Sequence, residues 1–211
     1  MTMVDVERDA RWGELQRLRQ QGDWEAALAA CSARHDPLLL WLQPTMDILR
    51  FIGDAARRHG VRDVISVGCG SGLFEWLLAS ATGLDVLGLE VNRGWWESRY
   101  SPPTFLPLVF PDEDGDQSAV EEALRGRSDS CLMFCYFNDT AAFLEYQRAF
   151  RGRLLVVAGP VHASHIGHAA PSAPTAHCHP HPFSKDIPSP WKLDASTPIG
   201  STGDYVAVYT R

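Results

Sequence analysis

The residues best placed to do chemistry are Gly68-Cys69-Gly70-Ser71-Gly72 and Glu90. The β-branched run Val64-Ile65-Ser66-Val67 leads straight into this glycine-rich turn, and the helical pattern Leu73 to Ala79 follows at once. Glycines let the backbone turn sharply and meet a ligand closely, because no Cβ stands in the way. The loop's N–H groups and the helix N-terminus then form a cradle that favours anionic groups. A second apolar run, Val86 to Leu89, ends in Glu90, 20 residues after Gly70. An acid at that spacing sits at the tip of the next parallel strand, where it can accept hydrogen bonds from ribose hydroxyls. The plainer alternative is an ordinary strand-to-helix turn whose glycines serve only the bend.

Val67-Gly68-Cys69-Gly70-Ser71-Gly72 resembles the first motif of the class I S-adenosylmethionine (SAM) dependent methyltransferases, and Glu90 matches that family's ribose-binding acid. A nicotinamide dehydrogenase would carry Gly-x-Gly-x-x-Gly, whose third glycine falls on Leu73. One departure is Ser66, where the family often carries an acid. The resemblance implies that Gly68, Cys69, Gly70, Ser71 and Gly72 hold the methionine part of SAM and that Glu90 takes the ribose. Val91 and Asn92 would flank the adenine, with Phe110 to Asp112 near its edge, and Phe137 would complete the cofactor site. Asn138 and Asp139 fall where the family places acceptor-side and catalytic residues. The nucleic-acid amino-methylating members show Asp/Asn-Pro-Pro-aromatic there, whereas this chain reads Phe137-Asn138-Asp139-Thr140. Asn and Asp are also preferred helix caps, so capping is the competing role. Methyl transfer from a sulfonium is an in-line displacement in which placement supplies much of the acceleration, so an obvious base is not required.

Trp95, Trp96 and Tyr100 follow the ribose acid and either wall the site or anchor the helix after the second strand. Trp41, ahead of the entry helix, is a candidate to cap the site. The segment Gly159 to Pro190 contains His162, His165, His168, His177, Cys178, His179 and His181 together with six prolines from Pro160 to Pro188. This donor set suits zinc or copper, but its spacing matches no structural zinc module, so no metal ligand is assigned. A loop over the acceptor side and a passive loop are the other readings.

These residues need a scaffold. Ala10 to Gln20 and Trp24 to Ala33 read as amphipathic helices, the second capped by Asp23. Met46 to His59 reads as a longer helix closed by Gly60. Strands are expected at Val64–Val67, Val86–Leu89, Phe105–Phe110, Cys131–Tyr136, Leu154–Ala158, Trp191–Ala195 and Tyr205–Tyr209, with helices at Gln117–Leu124 and Thr140–Phe150. Pro107 cannot donate to a ladder, which places the third strand at a sheet edge. Cys131 to Tyr136 is apolar throughout, as befits a central strand buried on both faces. The last two strands are too close in sequence for a crossover and should pair as an antiparallel hairpin. The expected fold is therefore α/β: a doubly wound, seven-stranded, mostly parallel sheet ending in an antiparallel hairpin. An N-terminal helical cap over 1–45 would precede a SAM-binding domain over 46–211, with a His/Pro-rich insertion over 159–190. By resemblance the strand order is 3-2-1-4-5-7-6.

The chain has 211 residues and a net charge of −7. Its length is enough to bury a full sheet between helices. Of 19 basic residues 17 are arginine, scattered singly or in pairs, so no basic patch favours nucleic acid. No apolar run approaches membrane-spanning length, and the polar N-terminus does not resemble a signal peptide. Five cysteines in no paired spacing suit a reducing compartment, with the cytoplasm expected. The partners expected are SAM and a small-molecule or protein methyl acceptor, without nucleic acid or membrane. A SAM-binding sensor or partner protein without catalysis is the rival from another class.

Overall fold

The apolar run at 131–136 forms β4 (Ser130–Cys135), the middle strand of a seven-stranded sheet. The computed structural model describes residues 3–34, 36–111, 117–126, 128–161, 178–200 and 203–211. Strand order is β3-β2-β1-β4-β5-β7-β6, with β1 (Asp63–Val67), β2 (Asp85–Leu89), β3 (Leu108–Val109), β5 (Leu154–Pro160), β6 (Lys192–Ile199) and β7 (Asp204–Thr210). Strands β1 to β5 run parallel, and β7 runs antiparallel to both β5 and β6. The expected fold class and closing hairpin are both present.

Alternation along the buried strands divides the interior into two layers. Val64, Cys131, Met133, Leu154, Val156, Val206 and Val208 face one core. That core also takes in α1 (Met3–Gln21), α2 (Trp24–Ala33), α3 (Met46–Arg58) and α4 (Leu73–Thr82). Ile65, Val67, Leu132, Phe134, Leu155, Val157, Ala207 and Tyr209 face the other, with α6 (Gln117–Gly126) and α7 (Thr140–Ala149). The apolar runs of β4 and β5 are thus what a sheet covered on both faces requires.

Local signals set the helix ends. The Asp23 carboxylate accepts from the Ala26 N–H at 3.1 Å, and the Thr45 hydroxyl accepts from Ile48 at 3.3 Å. Each satisfies an N–H that has no partner within the helix. Gly83 ends α4 in the left-handed region at φ 73°. One strand is much shorter than expected. The third strand is only Leu108–Val109, at the sheet edge, because Pro107 has no N–H to give. Phe105 instead donates its N–H to the Ser71 carbonyl at 2.8 Å and stacks its ring on Trp76, with centroids 6.2 Å apart. After β2 there is a single turn, α5 (Arg93–Trp96). No helix among the described residues is long and apolar enough to cross a membrane.

Candidate functional site

Because β1, β2, β4 and β5 are parallel, their carboxyl ends share one edge of the sheet. The chain leaves β1 towards β2 on one side and β4 lies on the other, so this edge holds the topological switch where such sheets bind ligands. A cleft opens there in two adjoining chambers of about 620 and 180 Å³. They share Trp41, Gly68, Glu90 and Cys135.

The glycine loop forms one wall. Gly68, Gly70 and Gly72 all have φ between 62° and 72°, the left-handed region that glycine enters without a Cβ penalty. At Gly72 a Cβ would stand 2.3 Å from Leu106 Cδ2, so the glycine also makes room for the chain entering β3. At Gly70 a Cβ would meet nothing within 4 Å. The space before Gly70 is open, and a ligand can lie against its backbone. Ser71 lines the smaller chamber but is buried: its hydroxyl donates to the Leu39 carbonyl at 2.8 Å and tethers the 36–44 connection to the loop.

Glu90 closes the second wall. Oε1 accepts from the Gly70 N–H at 2.7 Å, and Oε2 accepts from the Val91 N–H at 3.1 Å. Burial pushes its carboxyl up, and the Gly70 and Val91 amides and a Trp96 hydrogen bond pull it back. The glycine loop and the acid are therefore one hydrogen-bonded unit. With three donors on it, the carboxylate keeps one lone-pair site for a further donor. Asn92 sits at φ 62°, and its Oδ1 accepts from the Trp95 N–H at 3.1 Å. Its side chain thus caps α5. Arg93 lies 4.5 Å over the Phe110 ring, which is buried.

The third wall comes from the end of β4. Tyr136 has φ 52°, unusual for a residue with a Cβ. Its hydroxyl donates to Asp204 at 2.7 Å, across from β7, and Trp41 stacks on its ring at 6.4 Å. Burial and the neighbouring Asp204 both push the Tyr136 phenol up, keeping it protonated. Phe137 packs edge-on against Phe134 at 5.0 Å and lines the larger chamber. Asn138 and Asp139 line it too, and Asp139 Oδ1 accepts from the Ala142 N–H at 3.0 Å. That carboxylate caps α7, as the competing reading held. Trp41 is 61% exposed at the rim.

The structure thus brings Gly68, Cys69, Gly70, Glu90, Val91, Phe137, Asn138 and Asp139 to one cleft. Trp96 reaches it, whereas Trp95 and Tyr100 are exposed and line neither chamber. His162, His165, His168 and His177 lie outside the described residues. Cys178 is buried against the larger chamber, and the His179 N–H donates to the Phe137 carbonyl at 2.8 Å. The end of the insertion is therefore fastened to the β4 exit. Among the described residues no cluster of His, Cys, Asp and Glu is arranged to hold a metal ion.

Two further residues line the cleft that the motifs do not include, Tyr136 and Glu75. Tyr136 was hidden inside an apolar run whose far partner lies 68 residues on. Glu75 lines the smaller chamber and is almost fully buried. The signal was there: a lone acid within Leu73-Phe74-Glu75-Trp76-Leu77, where every neighbour is apolar. Ser66 is fully buried, and its hydroxyl donates to Glu75 Oε1 at 2.7 Å.

No protein-family model matches this sequence, and no curated protein sequence matches it. Solved structures do match. A cofactor-bound protein from MTB superposes with a TM-score of 0.54 at 16% identity, over 89% of each chain. An O-methyltransferase from Bacillus cereus in complex with S-adenosylhomocysteine (SAH) superposes with a TM-score of 0.51 at 10% identity. That match covers 96% of this chain and 91% of the other. The chain has the fold of the class I SAM-dependent methyltransferases.

Proposed function

We propose that this chain binds SAM in the cleft at the carboxyl ends of β1, β2 and β4, and transfers its methyl group to a small-molecule or protein side-chain acceptor. One observation carries the reading: the Gly70 N–H is held by Glu90 at 2.7 Å while the space before Gly70 stays open. Loop and acid are thereby pre-organised as one receptor, which lowers the ordering cost of binding. The bound SAH in the Bacillus cereus relative of the same fold supports it.

In this reading the backbone of Gly68, Cys69, Gly70 and Gly72 receives the amino-acid end of the cofactor. Ser71 serves from behind by fixing the loop to Leu39. Glu90 accepts from the ribose hydroxyls. Val91, Phe137 and the backbone of Asn92 flank the adenine. Bound SAM supplies an electrophilic methyl on its sulfonium. The protein's part is to place the acceptor in line with that methyl.

The acceptor side is walled by Trp41, Tyr136, Tyr146 and Cys178 and edged by Asn138 and Asp139. Aromatic walls suit a flat or apolar acceptor group. Asn138 orients it by hydrogen bonding. Asp139 uses one oxygen as a cap and offers the other to the acceptor's proton. No basic residue lines either chamber among the described residues, which disfavours a phosphate-rich nucleic acid.

The test is incubation with methyl-labelled SAM and a lysate fractionated by size. Label should pass into one fraction, small or macromolecular, and that fraction identifies the acceptor class. The capping role of Asp139 favours a second reading, a SAM sensor without catalysis. Tight SAM binding with no transfer into any fraction would replace the enzyme by the sensor.

A further inference from the structure

The smaller chamber contains an acid with unfinished hydrogen bonding. Glu75 is the third residue of α4 and is 2% exposed. Oε1 accepts from Ser66, and Oε2 has no hydrogen-bond partner among the described residues. A buried carboxylate oxygen left bare costs free energy unless a donor or a proton satisfies it. Glu75 shares its chamber with Glu90, Cys69 and Cys135. None of these supplies positive charge. Neither chamber is lined by Lys, Arg or His among the described residues. The pocket supplies no cation of its own among the described residues, so a proton satisfies this oxygen until a ligand brings a positive group.

Building on the SAM reading, we infer that Glu75 binds the ammonium group at the amino-acid end of the cofactor, leaving Glu90 for the ribose at the other end of the glycine loop. Three features converge on this. Glu75 lines the same small chamber as Gly70, against whose open backbone the amino-acid end would lie. Its bare oxygen lacks a donor, and an ammonium has three N–H groups to give. Ser66 holds the other oxygen, which fixes the rotamer.

Protonation follows from the same arrangement. Without ligand, burial raises the Glu75 carboxyl from the ordinary 4.5 to about 7, and the Glu90 charge adds to this. The Ser66 hydroxyl and the Glu75 amide oppose it. Burial and the two acids also push the facing Cys69 thiol up, and burial and Glu75 do so for Cys135, so both remain neutral. An arriving ammonium favours the carboxylate. Near pH 6 the proton on Glu75 leaves for solvent as the ammonium takes its place, and near pH 8 there is no proton to release.

The test pairs Glu75→Gln with two ligands. SAH carries the ammonium, and methylthioadenosine keeps the adenosine and sulfur but lacks the amino-acid end. Calorimetry should show that Glu75→Gln weakens SAH by about tenfold to a hundredfold, the range for a hydrogen bond to a charged group, while methylthioadenosine changes by less than about twofold. Equal losses for both ligands would make Glu75 a support of the loop and overturn the proposal, and so would no loss for either. Wild-type chain that binds neither ligand would overturn the SAM reading, and this inference with it. The wild-type protein gives an independent readout. Its SAH binding heat should depend on buffer ionisation enthalpy at pH 6 and not at pH 8, and equal dependence at both would contradict the proposal.

Discussion

Glu90 holds backbone from two loops, the Gly70 amide after β1 and the Val91 amide after β2, and still faces the cleft. Its removal should therefore act on binding. Glu90→Ala is expected to weaken SAM by about 1.5–3 kcal/mol in a calorimetric titration, the range for hydrogen bonds to a charged group. Unchanged affinity in the folded variant would take Glu90 out of the site. Gly70→Ala tests the loop. A left-handed alanine costs about 1 kcal/mol of stability, and its Cβ enters the open space the ligand needs. If that variant binds SAM as well as wild type does, the loop is only a bend. Glu75 has a separate signature in the unliganded protein. Its carboxyl titrates near 7 when folded and near 4.5 when unfolded, so the folded chain binds the proton more tightly. The stabilisation from that proton is complete below pH 4.5 and is lost as pH rises through 7. Glu75→Gln should therefore match wild type in urea unfolding at pH 4.5 and exceed it at pH 8 by up to about 3 kcal/mol. A constant difference between the two pH values would show that Glu75 is not buried as a charge.

Elements turn these residues towards one another, and here legibility depended on range. Val64 to Gly72 and Val86 to Glu90 could be read because strand, turn, helix and acid are neighbours along the chain. The Asp23 and Asp139 caps were legible for the same reason. The extent of β3 was not. Pro107 announced an edge, but how much of 105–110 would pair depends on where Phe105 goes, and it goes to Ser71 and Trp76. Tyr136 with Asp204 and Ser71 with Leu39 join segments distant in sequence, and no local pattern encodes them. The contact between the glycine loop and the β3 approach yields a prediction of its own. Gly72→Ala should destabilise the fold by about 2–3 kcal/mol, combining a left-handed alanine with overpacking against Leu106. In a Leu106→Ala background the same substitution should cost measurably less in urea unfolding. Strictly additive losses would mean that the two residues do not touch.

At the scale of the whole molecule the N-terminal helices share the sheet's core. Leu15, Leu18, Ala27, Leu28 and Cys31 belong to the same buried cluster as Leu73, Leu77, Met133 and Val156. Gln16 donates to the Thr104 carbonyl at 2.8 Å, and Arg19 donates to that of Phe105, so α1 also holds the segment leading into β3. Removing residues 1–34 should strip one face of this core and abolish a cooperative urea transition; a sharp transition in the truncated chain would contradict that. Sheet, cap and connections together leave one concave edge where the glycine loop, Glu90 and the β4 exit meet, and the central claim is that SAM occupies it. Calorimetric titration of the wild-type chain with SAM and with NAD tests this most directly. SAM should bind saturably and one-to-one, more weakly after Glu90→Ala, and NAD should not bind. No heat with SAM at millimolar concentration, or binding of NAD in its place, would contradict it.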